Sequence, residues 1–219
     1  MKRSFYLLVL GLLIVLPSIC QAVESRKTQL PTQRISIIIF NLAPVSASVF
    51  DQIEREVTRI LDQAGIEPRW VNCSQPISTA TSELSPCDRP PAPNEFVLQL
   101  VAGVSRPRSG LKGYTLGKSF APQQGKSFAT LSCGTVRNLL ERAQGTLLGY
   151  AAAHEMGHML LGSNAHSKQG IMRAHWEDQD FEQMSKGALL FTPDQSRRMA
   201  ENIQARQNSV GQTSGTQLR

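Results

Sequence analysis

An α+β fold is predicted for this 219-residue chain: a twisted mixed β-sheet packed against helices, with a nearly apolar helix late in the chain and another helix near its C-terminus. Three observations predict it. Arg34-Ile35-Ser36-Ile37-Ile38-Ile39-Phe40 is a β-branched run of strand length. Val49, Ile53, Val57, Ile60, Leu61 and Ala64 then recur at helical spacing with charges between them. Further short apolar runs lead into a proline-free stretch, residues 147–161, that stops at Gly162.

The elements follow in order. Residues 34–40 form the first strand, and Asn41-Leu42-Ala43-Pro44 turns the chain. A helix starts near Ser46 or Ser48, runs to Ala64 and ends at Gly65. Residues 67–71 form a short second strand. Pro86, Pro90, Pro91 and Pro93 keep residues 72–94 irregular, and residues 95–102 form a third strand. Residues 113–120 and 127–133 read as two more strands, and residues 135–142 as a short helix. After the apolar helix, residues 163–191 carry few periodic signals and are expected to be irregular. Thr192-Pro193-Asp194 opens a final helix through Met199 and Ile203 to about Arg206, with proline at its first position.

Composition bounds the setting. With 41% hydrophobic and 18% charged residues, one domain over residues 34–206 is the expectation. Lys2 and Arg3 precede a ten-residue apolar run, residues 7–16, which Pro17 breaks. That run is too short to span a bilayer and reads as a signal peptide, residues 1–22, cleaved after Ala22. The expectation is therefore a secreted or periplasmic protein with no stable membrane span after cleavage. Residues 23–33 read as a flexible arm and residues 207–219 as a disordered tail. Cleavage would leave Cys73, Cys87 and Cys133, of which Cys73 and Cys87 are the expected disulfide and Cys133 a buried thiol. The net charge of +6 falls to +4 without Lys2 and Arg3. The basic residues do not alternate with aromatics, so nucleic-acid binding is not expected.

The apolar helix carries the chemistry. His154-Glu155-Met156-Gly157-His158 places two of the four histidines one helical turn apart, with a glutamate beside the first. Two imidazoles so placed hold one zinc ion, and the glutamate acts as general base on a water. A catalytic zinc takes three protein ligands, and His166 is the leading candidate for the third, since Gly162 lets the chain turn back. Glu177 and Glu182 stay open as acidic alternatives.

From His154 through His166-Ser167 to Gly170-Ile171-Met172 the chain resembles the metzincins, zinc peptidases with the pattern HExxHxxGxxH and a later methionine turn. Here Gly162 lies four residues past His158 and His166 eight past, while Asn164 stands at the family's ligand position. The resemblance implies a zincin-type fold with residues 147–161 as active-site helix. It also implies Met172 packed below the metal, Zn²⁺ on His154, His158 and His166, and Glu155 as catalytic base. His175 would be a second oxyanion donor or a surface histidine, and Trp176 a pocket wall or a core anchor. The resemblance further implies that residues 114–119 offer a sheet edge to an extended substrate. The function so implied is a secreted zinc endopeptidase acting on a peptide or protein substrate. The alternatives are a non-catalytic secreted zinc-binding protein, or a zinc hydrolase of a non-peptide amide.

Overall fold

The computed structural model describes residues 32–43, 45–74, 85–103, 116–121 and 126–214. The expected signal peptide, most of the expected arm, and Tyr114-Thr115 of the expected sheet edge lie outside them. The described chain runs β1 (Gln33–Leu42), α1 (Ala47–Gln63), β2 (Ile66–Asn72), β3 (Glu95–Val101), β4 (Gly117–Phe120) and β5 (Phe128–Ser132). A 3-10 turn (Cys133–Val136) leads to α2 (Glu141–Leu161), α3 (Asp178–Ser185) and α4 (Pro193–Ser214). Five strands form one sheet in the order β2-β1-β3-β5-β4. The first four are parallel, and β4 pairs antiparallel with β5 at one edge. The fold is thus α+β, with a mixed sheet and four helices.

Alternation along the strands builds the core. Ile35, Ile37 and Ile39 of β1, Phe96, Leu98 and Leu100 of β3, and Ala129 and Leu131 of β5 are all buried. They meet Val49, Ile53, Val57, Ile60 and Leu61 of α1 and Leu148, Ala152 and Met156 of α2. Each large apolar side chain so buried contributes about 1.5–3 kcal/mol. Ser46 caps α1, its hydroxyl accepting from the Val49 N–H at 3.4 Å. Ser48 donates to Glu141 at 2.6 Å, which ties the start of α1 to the start of α2.

Helix α2 is pinned along its length. The fully buried Tyr150 accepts from Arg59 of α1 at 2.8 Å and donates to the Met184 carbonyl of α3 at 3.1 Å. The carbonyls in the last turn of a helix lack intrahelical partners. Here Asn202 and Arg206 of α4 donate to the carbonyls of Leu160 and Met159, both at 2.8 Å. A disulfide joins Cys73, just past β2, to Cys87, with Cα atoms 5.5 Å apart. Cys133 is a free, buried thiol.

Several boundaries differ from the sequence expectation. Gln33 belongs to β1 rather than to the arm. The short helix expected over residues 135–142 is a 3-10 turn, and α2 begins at Glu141, after an extended Leu140 with ψ 143°. The stretch 163–191, expected to be irregular, contains α3, which at eight residues is too short to show a period. Helix α4 continues through Ser214, past the expected end at Arg206 and into the expected disordered tail. Residues 207–209 are polar but contain no proline, and extending an anchored helix is far easier than nucleating one.

Candidate metal centre

The last two turns of α2 carry His154 and His158. At Gly162 the backbone enters the left-handed region, with φ 104°, and reverses direction. The following loop returns His166 to the helix. The His158 Nε2 lies 3.1 Å from the His154 Nε2 and 3.1 Å from the His166 Nε2. The ligand atoms of all three residues lie within 4.8 Å of one another. A tetrahedral zinc with Zn–N bonds of about 2.0–2.1 Å spaces its nitrogen ligands about 3.3 Å apart.

The outer nitrogens explain the orientation. The His154 Nδ1 is 2.7 Å from the Ile171 carbonyl, and the His158 Nδ1 is 3.5 Å from the Gly162 carbonyl. A carbonyl only accepts, so both Nδ1 atoms carry the proton and both Nε2 lone pairs face inward. Burial lowers the His154 pKa to about 4, with the neighbouring His158 and His166 acting in the same direction. Burial, and then His166, lowers that of His158. Both rings are therefore neutral near pH 7, the form that binds a metal. Inward lone pairs this close repel one another unless a cation lies between them. The donor set fits zinc on this ground.

Glu155 projects from α2 toward β4 and is only 7% exposed. Burial raises its pKa, and the Ser119 hydroxyl of β4 bonds to the carboxylate and works against that rise. Gly117 makes room for it. A Cβ on Gly117 would lie 2.6 Å from the Glu155 Cγ and 2.7 Å from its Oε1. Met172 is fully buried under the helix at Gly157. A Cβ on Gly157 would collide with the Met172 sulfur and lie 2.8 Å from the Phe191 ring.

Trp176 supports the first histidine. Its indole N–H donates at 3.1 Å to the Ile171 carbonyl, the same acceptor that His154 uses. Its ring meets His154 edge-on at 5.8 Å. Arg173 pairs with Asp180 at 3.2 Å and Glu177 at 3.0 Å, holding the loop after Met172 to the start of α3.

A cavity of about 530 Å³ opens beside His154 and Glu155. Leu116, Val136, Leu139, Leu147, Trp176 and Phe181 supply apolar walls. His175 is exposed and lines it, next to Trp176.

The structure thus brings His154, Glu155, His158 and His166 into one site, with Met172 beneath it. The acidic alternatives fall outside the cluster: Glu177 pairs with Arg173 and caps α3, and Glu182 pairs with Lys186. Asn164 is exposed in the turn after α2. Cys133 stands apart, its thiol pushed by burial up to about 11. Sequence reasoning placed Gly117 and Ser119 only in the expected sheet edge and missed Arg173 and Phe181; all four reach the site through tertiary contact. The capping pair Glu177 and Asp180, three residues apart, was a local signal for α3.

No protein-family model matches the chain, and no curated protein sequence matches it. Among solved structures, the crystal structure of archaemetzincin from Methanopyrus kandleri is similar with a TM-score of 0.41 and 14% identity. The match covers 84% of this chain and 99% of that one. At that level the likeness adds nothing to what the residues of this chain show by themselves.

Proposed function

We propose that the chain is an exported zinc-dependent endopeptidase, with His154, His158 and His166 as ligands and Glu155 as general base. One observation carries the reading: three imidazole nitrogens converge while a buried carboxylate stands beside them without joining the cluster. A structural zinc site is closed by four protein ligands, and three are found here among the described residues. When bound, zinc supplies Lewis-acid polarisation at this site. Glu155 accepts a proton from the attacking water and returns it to the leaving amine. Burial makes Glu155 a stronger base than a solvated carboxylate, and Ser119 orients it. His175 faces the cavity as a second donor to the developing oxyanion, and Met172 supports the histidine floor. The position of β4 at the sheet edge suits an extended peptide, since an edge strand has unpaired backbone groups to offer.

Export rests on the basic and apolar character of residues 1–22. Among the described residues no helix is long and apolar enough to cross a membrane.

The test measures zinc content and hydrolysis of a denatured protein substrate for the parent and for Glu155→Ala. The parent should hold about one zinc per chain and cleave. The variant should keep the metal and lose cleavage by about 100-fold or more, the contribution typical of a positioned general base. Equal cleavage by the two proteins would refute the assignment of Glu155. Zinc retention with no cleavage of protein or peptide by the parent would leave the non-catalytic alternative.

A further inference from the structure

Charge is unevenly distributed along the chain. Residues 96–140 contain six lysines and arginines and no aspartate or glutamate. This segment supplies β4, β5 and the cavity-lining Leu116, Val136 and Leu139. Lys118, Lys126, Arg137 and Arg142 are exposed and form no salt bridge among the described residues. Elsewhere several cations are engaged, Arg34 with Glu67, Arg59 with Glu56, Arg89 with Glu95, and Arg197 with Asp194 and Glu201, while Arg55, Arg69, Lys168 and Arg198 form no salt bridge among the described residues. On the facing wall Arg173 and Lys186 hold Glu177, Asp180 and Glu182, so only Asp178 of that acidic group has no ion pair.

Strand geometry says what the unpaired cations face. Gly117 and Ser119 point toward α2 and Glu155. Lys118 lies between them and points to the opposite face, as its pairing with the outward Thr130 requires. A peptide laid along the outer edge of β4, which no strand covers among the described residues, alternates in the same way. Its residue facing α2 enters the apolar cavity, and the residue next to it faces outward beside Lys118. Arg137, between the cavity-lining Val136 and Leu139 in the chain, is exposed and does not itself line the cavity.

We infer that the cleft selects peptide segments with an acidic residue adjacent to the bulky apolar residue that fills the cavity, and that Lys118 reads that carboxylate. The inference rests on the peptidase reading for its substrate and adds a selectivity to it. A nucleic acid would share the charge, but it has neither backbone amides to pair with β4 nor an apolar side chain for the cavity.

The experiment uses the full zinc-loaded chain and three peptide sets that differ only in Glu, Gln or Lys beside a Leu or Phe. At low salt kcat/KM should favour Glu over Lys by about three- to tenfold, the scale of one cross-strand charge pair gained against one like-charge pair avoided. The ratio should shrink at high salt. Lys118→Glu should invert it, while Arg55→Glu on α1 should leave it unchanged. Fluorescence anisotropy of labelled peptides on the zinc-loaded protein reads the same preference whether or not they are cleaved. Equal rates or equal affinities for the three sets overturn the inference, as does a single-stranded oligonucleotide that binds as tightly as the acidic peptide. Cleavage without preference removes only the selectivity, whereas preferential binding without cleavage removes only the peptidase reading.

Discussion

Three imidazoles form the candidate metal site, and backbone carbonyls orient two of them, His154 and His158. His166→Ala should empty the zinc site, exceeding the roughly 10- to 100-fold loss of affinity caused by losing an outer-shell partner. Trp176→Phe keeps the ring against His154 but loses the N–H to the Ile171 carbonyl. We expect a drop in zinc affinity of up to about tenfold, read by competition with a chelator, with the fold unchanged by circular dichroism. The histidine pKa values set a pH dependence for the metal-free chain. Between pH 6.5 and about 4 an unfolded chain protonates His154 while the folded one does not. The unfolded state binds more protons there, so folding stability falls as pH falls through this window, by on the order of 3 kcal/mol. His158 acts in the same sense, and Glu155, with its raised pKa, in the opposite one. Urea melts of the chelated protein at pH 7 and pH 4.5 should show the loss. A midpoint that rises toward acid would contradict the burial of these rings.

At the scale of elements, α2 and α3 position the site through contacts remote from it. Arg173 supplies the charge partner that ties the loop after Met172 to the buried Asp180. Arg173→Ala leaves that carboxylate without its charge partner and loosens the start of α3, which walls the cavity through Phe181. Since Arg173 is itself partly exposed, the loss is discounted to about 1–3 kcal/mol, read in a denaturant melt. Gly117→Ala tests the packing of β4 against Glu155. Its added methyl group must displace the carboxylate, so hydrolysis should fall at least about tenfold while zinc content stays constant. A fully active Gly117→Ala protein would show that Glu155 does not need its observed position.

For the whole molecule, an ion held by His154, His158 and His166 would join α2 to the loop that follows it and so link metal binding to folding. A ligand that binds only the folded chain, at about 1,000 times its Kd, adds roughly 4 kcal/mol of stability. For a domain of this size that corresponds to a rise in melting temperature of about 8–16 °C. Zinc addition and chelation should move the thermal transition reversibly between these limits. If chelation leaves the melting temperature unchanged, the three imidazoles do not hold an ion in the folded state. The disulfide between Cys73 and Cys87 lies at the other side of the sheet, past β2. Its reduction should therefore lower stability without releasing zinc.

Local pattern was enough to locate the strands, α1, the apolar helix and the His-Glu-His triplet, because strand and helix periods and a motif one turn long are written in neighbouring residues. The pairing of Cys73 with Cys87 was also legible, since only fourteen residues separate them. What the sequence could not decide was which distant groups meet. The turn at Gly162 already favoured His166 in the sequence, but Glu177 and Glu182 stayed open, and only their engagement by Arg173 and Lys186 sets them apart from the histidine cluster. The approach of Gly117 and Ser119 to Glu155 depended on β4 turning antiparallel beside β5, a pairing fixed by the assembled sheet. Periodicity acts over a few bonds, whereas these contacts join segments far apart in the chain, and only packing of the whole core determines which of them come together.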